Sequence, residues 1–280
     1  MSSTKHILIT GVSPGGIGYH CAMQLLQQGH KVVGTLRNHE QADLLAQQGL
    51  DTVFMEMLDY QSIESGYAAA LELLHGRVDV LIQNAGFGQA GFVEDLPVAA
   101  LEEQFKVNLF ALHHLNSLVI PLMRQQGQGR ILVHSSVLGF VGMACRGAYV
   151  ASKFALEGLV QAMRVEMHNS GIDLCLLNTG PVSSRFRTHA LRALLKYVDT
   201  QNSVNHQRYS QAVLPRLSAS EETAKGNYSP EYVFKAVEHA INAPRPKTNY
   251  YITPPTKALY WLHKILPRRQ LDGILRLVDR

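Results

Sequence analysis

Short apolar runs alternate with longer segments of helical period from the N-terminus to about residue 252. The runs 5–10, 31–36, 52–57, 78–83, 130–134, 173–178 and 249–252 predict seven strands, and most are apolar on both parities, as strands covered on both faces are. Between them, apolar residues recur with helical spacing over 16–28, 39–48, 62–74, 98–126, 146–169 and 230–242. Gly29, Gly49, Gly76 and Gly171 stand as C-terminal stops, and Ser229 with Pro230 opens the last helix as N-cap and first turn. This alternation predicts a single α/β domain over 1–255, doubly wound around a seven-stranded, mostly parallel sheet. Residues 185–227 break the rhythm with a long polar stretch of weak periodicity, which reads as a helical lid over a substrate.

Beyond the last strand, Leu259, Leu262, Ile265 and Leu266, then Leu271, Ile274, Leu275 and Val278 after Pro267, predict two short amphipathic helices over 256–280. The whole net charge of +4 lies in these final 25 residues, so the body is neutral and no nucleic-acid partner is expected. The first reading of the tail is that its apolar face packs on the body or on a partner subunit in a homo-oligomer; the second is peripheral contact with a membrane surface. A composition of 46% hydrophobic and 17% charged residues excludes a disordered chain. Cys21, Cys145 and Cys175 are odd in number and widely spaced, which argues against a disulfide framework or zinc site and for a reducing compartment. With neither a signal-peptide pattern at the N-terminus nor an apolar run of ~20 residues, a cytoplasmic protein is expected. Thirteen histidines include the adjacent pair His113 and His114, but none stands at metal-ligand spacing.

The first strand runs into Thr10-Gly-Val-Ser-Pro-Gly-Gly-Ile-Gly18 at the head of a helix. Glycines let a backbone approach a pyrophosphate held by free helix N–H groups, although such a stretch alone also serves as a tight βα turn. Its place after the first strand of a βαβ unit favours the dinucleotide reading and a Rossmann-like sheet. The second strand ends in Arg37 with no acid at its tip, the arrangement that accepts the 2′-phosphate of NADP(H), with Ser13 placed to help. Further along, Asn84-Ala85-Gly86 ends the fourth strand and Ser136 the fifth, at the carboxyl edge where open sheets bind ligands. Tyr149 and Lys153 follow at i and i+4 on one helix face, a spacing that chance also produces. An adjacent ammonium is expected to favour the phenolate and lower the tyrosine pKa.

Taken together in this order, the residues resemble the short-chain dehydrogenase/reductase family, most closely its branch with 17β-hydroxysteroid and retinol dehydrogenases and bacterial NADP-dependent aldehyde reductases. The resemblance implies that Gly11, Ser13, Gly16, Ile17 and Gly18 line the cofactor phosphates, with Asn84, Ala85 and Gly86 beside them. It puts Glu56 where an adenine-binding Asp is usual and the Met57 backbone against the same ring, while Pro181 and Val182 replace the family's turn after the sixth strand. Asn108, Ser136, Tyr149 and Lys153 fall on the catalytic set, Tyr149 as proton donor, Ser136 as a hydrogen bond to the substrate oxygen, Lys153 on the nicotinamide ribose and Asn108 on a relay water. The implied activity is NADP(H)-dependent interconversion of a carbonyl and an alcohol on an apolar substrate: an aldehyde, retinoid, steroid or lipid ketone. The alternatives are a non-catalytic NADP-binding redox sensor and a nucleotide-sugar epimerase, the latter disfavoured because no second substrate domain follows Thr179.

Overall fold

A computed structural model describes residues 4–219 and 226–278. The elements are β1 (His6–Ile9), α1 (Ile17–Gln27), β2 (Lys31–Leu36), α2 (His39–Gln47), β3 (Asp51–Phe54), α3 (Tyr60–Leu73) and β4 (Val80–Gln83). There follow α4 (Val98–Phe105), α5 (Ala111–Gln126), β5 (Gly129–Ser136), α6 (Gly147–Glu166), β6 (Ile172–Thr179) and α7 (Phe186–Tyr197). The chain continues through the short turns α8 (His206–Arg208) and α9 (Leu214–Ser218) to α10 (Glu231–Asn242), β7 (Asn249–Ile252), α11 (Pro254–Ile265) and α12 (Arg268–Val278).

The strands lie in the order β3-β2-β1-β4-β5-β6-β7. Every pairing is parallel, so the sheet is more uniform than the mostly parallel one expected from sequence. The order reverses between β1 and β4, the crevice where doubly wound sheets bind ligands. Both faces are covered: Ile63, Leu115 and Leu156 from α3, α5 and α6 pack on one side, and Cys21, Leu25 and Val237 from α1 and α10 on the other. Each such buried side chain contributes about 1.5–3 kcal/mol against exposure. Gly29, Gly49 and Gly76 follow α1, α2 and α3 with φ of +83, +83 and +74°, whereas α6 already ends at Glu166, and Gly171, expected as its stop, leads into β6 with φ +78°.

Three segments differ from the sequence reading or complete it. Residues 98–126 are not one α-helix, because a π turn at Lys106–Phe110 separates α4 from α5 and buries Asn108. A π turn is defined by its i→i+5 backbone bonding rather than by residue type, so apolar spacing does not announce it. In the lid segment, α7 and the turns after it gather around Leu194, Tyr209 and Leu217 in an apolar cluster with Ala90 and Phe92 of the body. The fully buried Tyr209 hydroxyl donates to Asp95 Oδ2 at 2.8 Å and accepts from the Phe92 N–H at 2.9 Å; residues 220–225 of this segment lie outside the described residues. The tail forms α11 and α12, which break at Pro267, and Leu271 and Leu275 are buried with Val137, Leu138, Val141 and Tyr149. No helix among the described residues is long and apolar enough to cross a membrane.

Candidate active site

The crevice is built first by backbone. Gly11 takes φ +76°, and a Cβ there would stand 3.0 Å from Ala85 Cα. At Gly18 a Cβ would come within 2.4 Å of the Gly11 carbonyl and 2.5 Å of Asn84 Nδ2, so α1 starts closer to the sheet than any other residue permits. Asn84 fastens the two turns by donating to the carbonyls of Thr10 at 3.1 Å and Gly11 at 2.9 Å, while the Ala85 N–H donates to Thr10 Oγ1 at 2.9 Å. Gly86 lies against Asn108. Ser13 and Gly16 close the glycine turn through Gly16 N–H donating to Ser13 O at 3.0 Å, and Ile17 begins the helix. Asn38 and Asp59 cap α2 and α3 with their side chains, whereas α1 has no side-chain cap and no acid in its first turn. Its N-terminal N–H groups and dipole therefore fit a phosphate.

At the neighbouring tips of β2 and β3, the exposed Arg37 guanidinium lies 3.4 Å from the Glu56 carboxylate. Glu56 also accepts from the Leu58 N–H at 3.0 Å, and the Met57 side chain is buried below. Pro181 and Val182 leave β6 on the same edge, where Tyr228 N–H donates to the Pro181 carbonyl at 3.0 Å.

Ser136, Tyr149 and Lys153 are all buried, and Ser136 hydrogen-bonds the Tyr149 hydroxyl. The expected low tyrosine pKa is not found: burial pushes the Tyr149 phenol up to about 12, only partly offset by Ser136. Lys153 is itself pushed down to about 8 by burial, and its Nζ donates to the His134 carbonyl at 2.7 Å, 5.7 Å from the centre of the tyrosine ring. Desolvation of the anion outweighs the ammonium, which leaves Tyr149 protonated and suited to donating. Asn108 is spent on the loop after Gly86: it accepts from Phe87 N–H at 3.1 Å and donates to Phe87 O at 2.9 Å. It also reaches Ser152 Oγ at 3.4 Å, whose hydroxyl donates to the Tyr149 carbonyl.

Residues 5–194 match the short chain dehydrogenase family. The chain belongs to that family. The uncharacterized oxidoreductase YbbO of Escherichia coli is 32% identical over 272 residues, spanning 97% of this chain and 94% of the relative. Human 17-beta-hydroxysteroid dehydrogenase type 1 is 34% identical over 259 residues, 88% of this chain and 77% of the relative. A short-chain dehydrogenase from Streptomyces avermitilis shares the fold with a TM-score of 0.76 at 24% identity, over 99% of this chain and 98% of that one. This short-chain dehydrogenase is thus an oxidoreductase of the carbonyl/alcohol class with a Rossmann-like sheet.

Around this family site stand side chains that the sequence reading passes over. The His134 ring bridges Asn84 Oδ1 at 3.1 Å and Thr179 Oγ1 at 2.7 Å, joining the ends of β4, β5 and β6. Because Asn84 Nδ2 is the donor to Thr10 and Gly11, its Oδ1 accepts, which assigns the His134 proton to Nδ1. Burial and the Lys153 charge push His134 down to about 3, so it folds neutral. Stability from burying it neutral is complete above its ordinary 6.5 and is lost as pH falls from 6.5 towards 3. Urea midpoints measured between pH 7 and 4 should therefore fall, with a shallower fall in His134→Gln; equal slopes in the two proteins would place the titration elsewhere. Glu157, one turn beyond Lys153, accepts from Ser135 Oγ at 2.5 Å and Asn178 Nδ2 at 2.6 Å, and burial raises its pKa. The i, i+4, i+8 series of Tyr149, Lys153 and Glu157 was its sequence signal.

The segment expected to form the lid reaches across the crevice of this dehydrogenase in its described residues. Phe186 packs edge-on to Tyr149 with ring centres 5.3 Å apart and lies so near Gly88 that a Cβ there would meet it at 2.4 Å. Arg185 Nε stands 3.6 Å from where a Gly15 Cβ would be, so the lid spans from phosphate turn to phenol. Its base is held by Tyr209, Ser203 and Asn205 on the acids Asp95 and Glu94. Cys145 joins that lid cluster, whereas Met143 packs beside the tail. His114 meets Glu64 at 3.1 Å, and no group of metal-ligating side chains occurs among the described residues.

Proposed function

We propose that this protein is an NADP(H)-dependent oxidoreductase that interconverts a carbonyl and an alcohol on an apolar substrate such as an aldehyde, a retinoid, a steroid or a lipid ketone. The observation that carries the reading is the buried Ser136, Tyr149 and Lys153 set, walled by Val137, Leu138, Val141 and the lid's Phe186. The glycine cradle and the uncapped start of α1 fit a dinucleotide, and Gly11, Gly16, Gly18 and the Asn84-Ala85-Gly86 turn would hold it. When bound, the nicotinamide supplies or accepts the hydride. In reduction, the Tyr149 hydroxyl gives its proton to the carbonyl oxygen and Ser136 donates a hydrogen bond to the same atom. Lys153 supplies a positive charge beneath the phenol that stabilises the phenolate left behind. Apolar walls exclude water from that oxygen and favour substrates that gain from burial.

Arg37 supports NADP(H) over NAD(H), because an exposed guanidinium at the tip of β2 matches a 2′-phosphate. The steroid dehydrogenase relative supports an apolar substrate. Screening NADPH oxidation against medium and long aldehydes, steroid ketones, retinal and acyl-dihydroxyacetone phosphate tests the proposal. Turnover of at least one apolar carbonyl is expected. Tight NADPH binding with no turnover across the panel would favour a redox sensor and overturn the enzymatic reading.

A further inference from the structure

Helix α11 has two faces, and the body uses one. Leu259, Leu262 and Leu266 turn inwards to the cluster of Val141, Tyr149 and Leu271. Lys257, Trp261, Lys264 and Ile265 follow one another at helical spacing on the other face, Arg268 opens α12 just beyond the break at Pro267, and all five are exposed. Trp261 is 62% exposed and Ile265 72%, with Leu277 of α12 exposed as well, whereas Leu271 and Leu275 are buried. The sequence has no acid between Glu238 and Asp272, while that run also holds Arg245, Lys247 and Arg269. A second copy of this face would set like charges against each other, and a neutral protein groove would leave the cations unpaired. An anionic lipid surface neutralises them, and its headgroup layer suits an indole and a branched aliphatic side chain.

We propose that the outer face of α11, with Trp261 and Ile265 as its apolar anchors, docks on an anionic phospholipid surface. The inner face of the same helix packs on the loop 137–141 beside Tyr149, so docking there brings that wall of the site close to the bilayer. Removing the whole tail would also strip a wall from the active site, so substitutions on the outer face are the cleaner probe.

Trp261 is the chain's only tryptophan and reports its own surroundings in the full-length protein without any substrate. Its emission is recorded with vesicles of phosphatidylcholine alone and with phosphatidylglycerol added, at low and high salt. A blue shift and protection from aqueous quencher are expected only with phosphatidylglycerol, reversing at high salt as screening grows. Lys264→Gln with Arg268→Gln should weaken vesicle partitioning about 25-fold, roughly fivefold for each charge lost near the surface. Trp261→Ala with Ile265→Ala should abolish co-sedimentation while circular dichroism stays unchanged. No shift with phosphatidylglycerol at low salt overturns the proposal. So does a shift that grows with protein concentration without lipid, which marks a second copy, or an equal shift with duplex DNA, which marks general polyanion binding.

Discussion

Tyr149→Phe should retain cofactor binding and lose at least ~10²-fold in turnover, the lower end of what a positioned general acid contributes. The substitution removes one hydroxyl and keeps the ring, which continues to pack against Phe186 and within the Val137, Leu138 and Leu275 cluster. Folding should therefore change little, since no cavity is opened and Ser136 keeps its bond from the Leu138 N–H at 3.1 Å. What disappears is the phenol proton that would pass to the carbonyl oxygen. With its pKa pushed up to about 12, the phenol is fully protonated at neutral pH, which suits donation to a carbonyl oxygen. In the reverse direction the same burial resists loss of the proton, so alcohol oxidation should rise with pH more steeply than carbonyl reduction falls. Steady-state rates with NADPH, alongside a fluorescence titration of the cofactor, separate binding from chemistry. Near-normal turnover in Tyr149→Phe would remove this residue from the mechanism.

Arg37→Ala should erode a preference for NADPH over NADH by about 10- to 150-fold, the equivalent of ~1.5–3 kcal/mol for a charge-assisted contact to phosphate. In the structure Arg37 is 59% exposed and meets Glu56 at 3.4 Å, an ion pair that water and salt weaken. Its loss should leave stability nearly unchanged, and a 2′-phosphate competes easily for the guanidinium. The pair with Glu56 has a further consequence, because Glu56→Gln removes the competing anion and should strengthen NADPH binding. The preference is measured as the ratio of kcat/KM for the two cofactors in the parent and both variants. Equal efficiency with NADH in the parent would show that Arg37 does not read the phosphate.

The strands and helix stops were legible in the sequence because the physics that sets them is local. A strand buried on both faces must be apolar on both parities, as residues 7–9 of β1 and 174–177 of β6 are, and a helix that ends in a left-handed turn selects glycine, as at Gly29 and Gly49. The glycine turn, Asn84-Ala85-Gly86 and the Tyr149 to Lys153 spacing could be read for the same reason, since each is a run of neighbours at one end of a strand or on one helix face. The direction of the Tyr149 pKa could not, because it depends on how much water the lid, tail and sheet remove from the phenol, and desolvation outweighs the nearby lysine. Nor could the His134 bridge between Asn84 and Thr179, the seat of Phe186 on Gly88, or the clamp of Tyr209 on Asp95, which join residues far apart in the chain. The tail's amphipathicity was plain in its spacing, but which apolar residues it hides and which it leaves to solvent was decided by the surface it packs against. Periodicity records that a face is apolar, whereas the contacts that bury Leu271 and leave Trp261 outside arise only when distant segments meet.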